Sequence, residues 1–288
     1  MTLPCSTARK LIEKGALRLA QRGIDEAGQH SEWLLSSVTA RPRLELRAFG
    51  DIAVSAQEAE KFLELIELKS EGWPLSYLTG EQPFCGFTFK VSPAVLIPRP
   101  ETEGLTLRAA ELLRGAAGPE ILEIGAGSGC IACTLARLLP SARITAADIS
   151  GEALAAARLN AGKLQVADRI SFLNSDIFSA VEGRFDMIIS NPPYIPSADI
   201  AGLQTEVRFE PKLALDGGED GLAVLRKLIT GAPAHLKPAG ILALEIGYNQ
   251  EASLAAFLSK RGGWENMDIS KDDFGINRYI LATCNSNG

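Results

Sequence analysis

Residues 120–129 read Glu120-Ile-Leu-Glu-Ile-Gly-Ala-Gly-Ser-Gly129, a short apolar run followed by three alternating glycines. The length and apolarity of the run predict a buried strand, and the apolar residues that follow predict a helix over 131–139. Glycines between a strand and a helix permit a tight turn and let a ligand approach the backbone closely. The pattern therefore predicts a strand–loop–helix unit with a ligand at its loop.

Strands and helices alternate along the rest of the chain. Predicted strands cover 120–124, 143–147, 170–173, 185–190, 241–246 and 275–282, and predicted helices cover 131–139, 152–160, 222–235 and 251–259. Such alternation predicts an α/β domain with a doubly wound, mostly parallel sheet and helices on both faces. Ligands of these folds bind at the carboxyl ends of the strands. The residues at those ends are Glu123, Gly125, Asp148, Asp176 and Asn191.

The N-terminal region has a different pattern. Apolar residues recur at helical spacing, for example at Leu11, Ile12 and Leu19 and again at Phe62, Leu63 and Ile66, which predicts a small helical bundle. Pro and Gly punctuation with short β-like runs, including residues 87–91 and 95–97, follows the bundle. We therefore expect a helical domain over 1–79, a hairpin linker over 80–103 and the α/β domain over 104–288.

Composition disfavours several classes of protein. The 288 residues carry a formal net charge of −6, and residues 1–85 hold 10 Lys and Arg against 12 Asp and Glu. No basic field or basic N-terminal module is therefore available to attract nucleic acid. No signal-peptide core and no 18-residue apolar stretch is present, so we expect a cytoplasmic location without a membrane span.

No metal site is predicted. Five scattered cysteines do not form a disulfide framework, and Cys130-Ile-Ala-Cys133 has no second ligand pair, so these thiols are expected to fill small buried positions. The two histidines, His30 and His235, lack metal-ligand spacing. The segment Asp216–Gly221 resembles a calcium loop only faintly, because Lys227 stands where such a loop needs a Glu.

The glycine loop distinguishes two cofactors. A dinucleotide fingerprint reads G-x-G-x-x-G, whereas here the third glycine comes one residue early, which disfavours a nicotinamide-dependent oxidoreductase. Glu123 also precedes the loop Gly125-Ala126-Gly127-Ser128-Gly129, where it would repel a pyrophosphate. S-adenosyl-L-methionine has no phosphates, and its ammonium and carboxylate suit an acid beside helix N–H groups. We therefore expect this cofactor at the loop.

Two further acids fall at strand ends. Asp148 lies 19 residues after Gly129, where a carboxylate can accept hydrogen bonds from both ribose hydroxyls. Asp176 is expected to reach the adenine amine, with Ile177 against the ring. The alternative is that both acids only cap the helices that follow them.

Asn191-Pro192-Pro193-Tyr194 follows the predicted strand 185–190. The Asn offers a side-chain carbonyl, the two prolines lack N–H groups, and the Tyr adds a flat face. A rigid set of acceptors beside an aromatic plane suits a planar –NH2 group, either an amide or the exocyclic amine of a base. The alternative is a turn that only closes the strand.

Together these motifs resemble the class I methyltransferases that act on planar nitrogens. Within that group the chain resembles the release-factor glutamine methyltransferase family over nearly its whole length. The similar segments are Pro74–Glu81, Phe84–Phe89, Leu96–Glu103, Phe209–Pro211, Ala214–Gly221 and Leu244–Gly247. The resemblance implies a seven-stranded sheet and transfer of a methyl group from S-adenosyl-L-methionine, leaving S-adenosyl-L-homocysteine. It also implies the acceptor, the glutamine of the Gly-Gly-Gln loop in class 1 peptide-chain release factors.

The resemblance also implies site roles. Gly125–Gly129, Asp148, Ile177 and Asn191 would contact the cofactor, and Asn191–Tyr194 would hold the substrate glutamine. Two alternatives remain open: methylation of the adenine amine in DNA or RNA, for which the same tetrapeptide is suited, and a sensor that only binds the cofactor. The roles of Arg99 and of residues 101–103 are divided between lining the cofactor site and structural ion pairs.

Overall fold

The computed structural model describes residues 6–285. Its contacts divide these residues into two compact units. One unit holds residues 6–81 together with residues 204–209, and the other holds residues 82–203 and 210–285. Among the described residues, none of the helices combines the length and the apolarity that a bilayer crossing requires.

The first unit is a helical bundle with one short strand pair. Its elements are β1 (Ser6–Thr7), α1 (Ala8–Ala20), α2 (Ala27–Thr39), α3 (Arg43–Ala48), β2 (Ala53–Val54), α4 (Ala56–Ser70) and α5 (Leu75–Thr79). The apolar stripes predicted from the sequence form its core, where Leu19, Leu34 and Phe62 are fully buried. Ser55 begins α4 with a capping box, because its hydroxyl accepts the N–H of Glu58 while the Glu58 carboxylate accepts that of Ser55.

Residues 204–209 complete this unit although they come from a distant part of the chain. The fully buried Lys69 forms an ion pair with Glu206, and the rings of Trp73 and Phe209 lie 4.7 Å apart. A buried ammonium needs such a partner, because desolvation of an isolated charge is costly. The sequence pattern predicted no part of this segment in the bundle.

A β-hairpin begins the second unit. Its strands are β3 (Glu81–Phe84) and β4 (Phe87–Lys90), joined by Cys85 and Gly86 at φ 48° and 78°. Positive φ at both central residues is the geometry of a type I′ hairpin turn. The predicted hairpin is therefore present, but residues 95–97, which were expected to be β-like, form no strand.

The rest of the second unit is a seven-stranded sheet covered by helices. Its elements are α6 (Pro100–Leu112), β5 (Glu120–Ile124), α7 (Cys130–Leu138), β6 (Arg143–Asp148), α8 (Gly151–Lys163), β7 (Ile170–Asn174), β8 (Phe185–Ser190), α9 (Ala223–His235), β9 (Leu236–Glu245), α10 (Glu251–Arg261), β10 (Trp264–Lys271) and β11 (Asn277–Cys284). Short 3₁₀ turns lie at Ala167–Arg169, Ile200–Gly202, Val207–Phe209 (within the helical unit) and Lys212–Ala214.

The strand order is β10-β11-β9-β8-β5-β6-β7, in which β9, β8, β5, β6 and β7 are parallel. β11 pairs antiparallel with both β9 and β10, so it is the one strand of this sheet that runs in the opposite direction. This confirms the predicted doubly wound, mostly parallel sheet. Side chains alternate between two cores, so that Met187 and Ile189 belong to one and Ile188 to the other. After β5 the chain adds β6 and β7 on one side of β5, and it then crosses to the opposite side of β5 to form β8. The switch in strand order therefore lies between β5 and β8.

Candidate active site

A cavity lies at the carboxyl ends of β5, β6 and β8 and at the loop that follows β7. It is lined by most of the residues that the sequence singled out, namely Glu123, Gly125, Ala126, Gly127, Ser128, Asp148, Asp176, Ile177, Asn191, Pro192 and Pro193. Gly129 and Tyr194 are not among the lining residues. The strand ends therefore converge on one site.

The glycine loop is built on left-handed backbone. Gly125, Gly127 and Gly129 have φ of 78°, 53° and 76°, a region that glycine adopts without steric cost. A Cβ on Gly127 would meet no atom within 4 Å, whereas a Cβ on Gly129 would lie 2.9 Å from the Cβ of Ala157. The second glycine thus borders open space, and the third allows α7 and α8 to pack closely.

Glu123 is buried at the end of β5. Its Oε2 accepts the N–H of Ala132 at 3.0 Å, in the first turn of α7. Burial raises the pKa of this carboxyl well above its usual range, and the neighbouring Asp148 charge raises it further. An ammonium ion placed in the cavity would oppose both effects by stabilising the ionised carboxylate.

Asp148 lies at the end of β6 with both carboxylate oxygens engaged. Its Oδ2 accepts the N–H of Gly127 at 2.9 Å, and its Oδ1 accepts that of Ser150 at 2.8 Å. A carboxylate oxygen can accept two hydrogen bonds, so each oxygen retains capacity for a further donor. Asp148 therefore both fixes the glycine loop and offers acceptors to the cavity.

Asp176 and Ile177 lie on the turn after β7. Ile177 has φ 53°, an outlier for a β-branched residue. The turn is held by the hydroxyl of Ser175, which donates to the Ile177 carbonyl at 2.9 Å and accepts the N–H of Ala180 at 3.0 Å. Asp176 is exposed at the cavity rim. These bonds hold Ile177 in a strained conformation at the cavity wall.

Asn191 is the first residue after β8. The hydroxyl of the preceding Ser190 donates to the Ile124 carbonyl at 2.6 Å, which ties the ends of β8 and β5 together. The Asn191 Nδ2 donates to Thr102 Oγ1 at 2.9 Å, and Thr102 Oγ1 donates to Glu245 Oε2 at 2.7 Å. The carboxamide nitrogen of Asn191 therefore forms a hydrogen bond within the protein.

Tyr194 is held by contacts from three directions. Its hydroxyl donates to Glu245 Oε1 at 3.3 Å, and its carbonyl accepts a hydrogen bond from Gln250 Nε2 at 2.9 Å. Glycines leave room for it, because a Cβ on Gly217 would lie 2.8 Å from the Tyr194 Cα and one on Gly221 would lie 2.4 Å from its carbonyl oxygen. The segments 216–221 and 244–247 therefore pack against Tyr194 and hold the tetrapeptide in position.

Two charged residues at the start of α6, Arg99 just before it and Glu103 in its first turn, have structural partners. Arg99 lines the cavity and also forms an ion pair with the buried Glu210, whose other oxygen accepts the Ile97 N–H at 3.0 Å. Glu103 accepts the N–H of Cys85 at 2.9 Å and so anchors the hairpin turn. Arg99 thus combines the two roles that the sequence left open, whereas Glu103 has the structural one.

Comparisons with known proteins agree with this architecture. Residues 10–80 match the family described as PrmC N-terminal domain, and residues 106–206 match Methyltransferase small domain. The Release factor glutamine methyltransferase of Moorella thermoacetica is 42% identical over 280 residues, which cover 96% of this chain and 98% of that one. The protein of the same description from Geobacter sulfurreducens is 38% identical and covers 95% of each chain.

The chain belongs to the release factor glutamine methyltransferase family.

Solved structures extend the comparison to the fold of this family member. A methyltransferase from Pyrococcus furiosus has a TM-score of 0.53 at 21% identity and covers 80% of this chain and 99% of that one. The T. thermophilus 16S rRNA N2 G1207 methyltransferase, solved with AdoMet and guanosine, has a TM-score of 0.52 at 21% identity, over 71% of this chain and 49% of that one. Both show the shared fold of the α/β unit.

The donors and acceptors that line the cavity fit S-adenosyl-L-methionine, the cofactor expected for this family. Asp148 has acceptor capacity for vicinal hydroxyls, and Glu123 provides an acid where an ammonium would lie. Gly127 leaves open space for a ligand at the loop. Ile177 contributes an apolar wall beside Asp176. A nucleoside joined to an amino acid matches this combination of groups.

Sequence reasoning missed three residues that support the site: Thr102, Glu245 and Gln250. Thr102 and Glu245 lay within segments that carried the family resemblance, but no spacing rule connected them to Asn191. The one available signal was chemical, since a Glu at the end of an apolar strand needs hydrogen-bond donors around it. Those donors are Thr102 and Tyr194.

Proposed function

We propose that this chain transfers a methyl group from S-adenosyl-L-methionine to the side-chain amide nitrogen of the glutamine in the Gly-Gly-Gln loop of class 1 peptide-chain release factors. The main support for the proposal is the position of Asn191. This residue lines a cavity suited to the cofactor, and its carboxamide nitrogen is fixed by a hydrogen bond to Thr102. Family membership supplies the acceptor, since the relatives are described as release factor glutamine methyltransferases.

The cofactor would be held by the glycine loop, by Asp148 at the ribose and by Asp176 and Ile177 at the adenine. Glu123 would face its ammonium group. When bound, the cofactor supplies an electrophilic methyl group on a sulfonium, which is a strong leaving group. The protein's task is then alignment of the acceptor, because a bound near-attack geometry removes much of the entropic barrier.

An amide nitrogen is a poor nucleophile because its lone pair is delocalised into the carbonyl. We propose that Asn191 Oδ1 and the Pro192 carbonyl accept the two amide hydrogens of the substrate glutamine, which turns the nitrogen lone pair toward the methyl group. The same acceptors stabilise positive charge that develops on nitrogen. Pro193 stiffens the loop and Tyr194 supports it. No general base is required before transfer, because the product cation loses its proton readily.

The partner follows from the same proposal. A release factor is the macromolecular substrate, the helical domain over 1–79 recognises it, the linker over 80–103 follows, and the catalytic domain covers 104–288. The formal net charge of −6 gives no support to a direct nucleic-acid contact. Translation termination places the protein in the cytoplasm.

A radiolabelled methyl-transfer assay tests the proposal with three acceptors: intact release factor, a release factor whose loop glutamine is replaced by alanine, and DNA. We expect label on the intact release factor and none on the other two. Label on DNA, or label that survives the glutamine replacement, would contradict the proposed acceptor. The DNA arm tests the adenine-methylating alternative directly, since the same tetrapeptide suits an exocyclic amine.

The role of Asn191 is tested by Asn191→Ala. We expect kcat to fall about 10²–10³-fold, the usual loss for one preorganised polar contact at a reacting centre. Affinity for S-adenosyl-L-methionine, measured by titration calorimetry, should weaken much less. Turnover near that of the wild type in this variant would rule out the proposed role.

A further inference from the structure

A buried chain of hydrogen bonds connects the two polar side chains of the tetrapeptide. It runs from Asn191 Nδ2 to Thr102 Oγ1 at 2.9 Å, from Thr102 to Glu245 Oε2 at 2.7 Å, and from the Tyr194 hydroxyl to Glu245 Oε1 at 3.3 Å. Thr102 is 2% exposed and Glu245 1% exposed. One buried carboxylate thus accepts from Tyr194 directly and supports Asn191 through one hydroxyl.

The direction of each bond follows from the groups involved. An amide nitrogen can only donate, so the Thr102 oxygen accepts from Asn191 and its own hydrogen must point elsewhere. An ionised carboxylate can only accept, so it receives that hydrogen. With Glu245 ionised, the reversed carboxamide of Asn191 would place an oxygen against the Thr102 oxygen, whose hydrogen is already given to Glu245. The ionised carboxylate therefore selects one orientation of the carboxamide.

We propose that Thr102 and Glu245 are positioning residues for methyl transfer, which hold the Asn191 carboxamide with Oδ1 presented to the acceptor nitrogen. This inference rests on the proposed function. Neither residue needs to touch the substrate nitrogen, since each acts through Asn191. Their contribution appears in the rate of transfer because only the Oδ1 orientation offers an acceptor to the substrate –NH2 group.

The orientation depends on the charge of Glu245. Burial is the main cause that raises its pKa to about 7; the Thr102 and Tyr194 hydroxyls and Arg278 on β11 lower it, and Glu101 on α6 raises it. Tyr279 on β11 also faces this carboxylate. Once protonated, Glu245 can donate to Thr102, which can then donate to Asn191 and allow the reversed carboxamide. Activity is therefore highest above this pKa and declines as the pH falls through it.

Thr106 provides a matched control. It is fully buried on the same helix, one turn after Thr102, but its hydroxyl donates to the Thr102 backbone carbonyl at 2.8 Å, whereas Asn191 Nδ2 donates to the side chain of Thr102. Replacing either threonine by valine removes a buried hydroxyl while preserving shape. A purely structural role for Thr102 predicts that the two variants differ only in stability.

The experiment measures kcat and KM with release factor for Thr102→Val, Thr102→Ser and Thr106→Val, alongside cofactor affinity and melting temperature. We expect Thr102→Val to lower kcat about 10–100-fold, as a misplaced catalytic contact does. Cofactor affinity should stay within about twofold, since cofactor contacts are retained. Thr102→Ser, which keeps the hydroxyl, should recover most of the rate, and Thr106→Val should stay close to wild type. Equal turnover for the two valine variants would overturn the proposal.

The pH dependence of kcat provides a second measurement. The wild type should lose activity on the acid side near pH 7, and Glu245→Gln should flatten this limb because glutamine does not titrate. An acid limb that persists unchanged in Glu245→Gln would contradict the role of Glu245. If the wild type labels DNA and not release factor, the proposed function fails, and the same variant ratios measured on DNA still decide the positioning role.

Discussion

The two halves of the cavity are built in different ways. In the half formed by the glycine loop, Glu123 contacts a residue 9 positions away and Asp148 contacts one 21 positions away. In the half around the tetrapeptide, the contacts that hold Tyr194, Asn191 and Thr102 join residues 51, 89 and 143 positions apart. The first half is a product of one βαβ unit, whereas the second exists only once the sheet has formed.

The halves also differ in the groups they use. The glycine loop is fixed by backbone N–H groups that donate to carboxylates and to the Ala147 carbonyl. The tetrapeptide is fixed by side chains from α6, β9 and the residue before α10. The bonds to the Ala147 carbonyl survive most substitutions because both partners are backbone groups. A contact that uses a side chain in either half can be removed by one substitution. We therefore expect single substitutions to separate catalysis from cofactor binding.

Of the three substitutions that compare the halves, the largest effect is expected for Gly221→Ala, which disturbs the tetrapeptide half alone. Gly221 has φ 74°, and its added Cβ would lie 2.4 Å from the Tyr194 carbonyl oxygen. The tetrapeptide must shift, and a displacement of about 1 Å at a reacting centre can cost about 10²-fold in kcat. Cofactor affinity should remain within about threefold, because the contacts proposed for the ribose, the adenine and the ammonium group of the cofactor lie in the other half.

The control for this variant is Gly202→Ala, where a Cβ would meet nothing within 4 Å. Both variants are compared by steady-state kinetics and by cofactor titration. Retention of wild-type kcat in Gly221→Ala would show that the packing around Tyr194 does not determine the position of Asn191.

The next effect is expected for Asp148→Asn, which alters the glycine-loop half. The new Nδ2 group would face a backbone donor, either Gly127 N–H or Ser150 N–H, and would lose one acceptor for a ribose hydroxyl. Hydrogen bonds to charged groups contribute about 1.5–3 kcal/mol, so cofactor affinity should fall about 10–100-fold. At saturating cofactor, kcat should change only a few-fold.

Titration calorimetry measures this loss, with Asp168→Asn on an exposed 3₁₀ turn as the matched control. A fall in kcat at saturating cofactor as large as the fall in affinity would contradict the separation of the two halves.

Most of the fold could be predicted because strand and helix periods are local properties of the sequence. Two strands of the seven-stranded sheet were not predicted correctly, for physical reasons. β10 was missed because its side chains are mostly exposed and polar, as at an edge strand. β9 begins at Leu236, five residues earlier than predicted, because the Pro238-Ala-Gly240 segment forms an irregularity within the strand, with Ala239 at φ 60°.

The residues of the site also differ in whether they could be predicted from the sequence. The glycine loop and Asn191 could be identified because each directly follows an apolar strand, and strand ends converge in a parallel sheet. Thr102, Glu245 and Gln250 carry no such local mark, since a threonine in a helix and a glutamine before one are common. Their function depends on which strands become neighbours, and β8 pairs with β9 only in the folded sheet.

The smallest effect is expected for Ile177→Phe, which tests whether the side chain at this position of the glycine-loop half faces the adenine. Ile177 lines the cavity at φ 53°, where β-branching is unfavourable and an unbranched Cβ is better tolerated. If this side chain faces the adenine, a flat ring should stack on it and improve cofactor affinity about threefold, the low end of an aromatic pair worth about 0.5–1.5 kcal/mol. Calorimetric titration of wild type and variant measures the change, and Ile177→Leu separates stacking from the loss of β-branching. An equal gain for leucine and phenylalanine would assign the effect to backbone relief, and a loss in both would place the adenine elsewhere in the cavity.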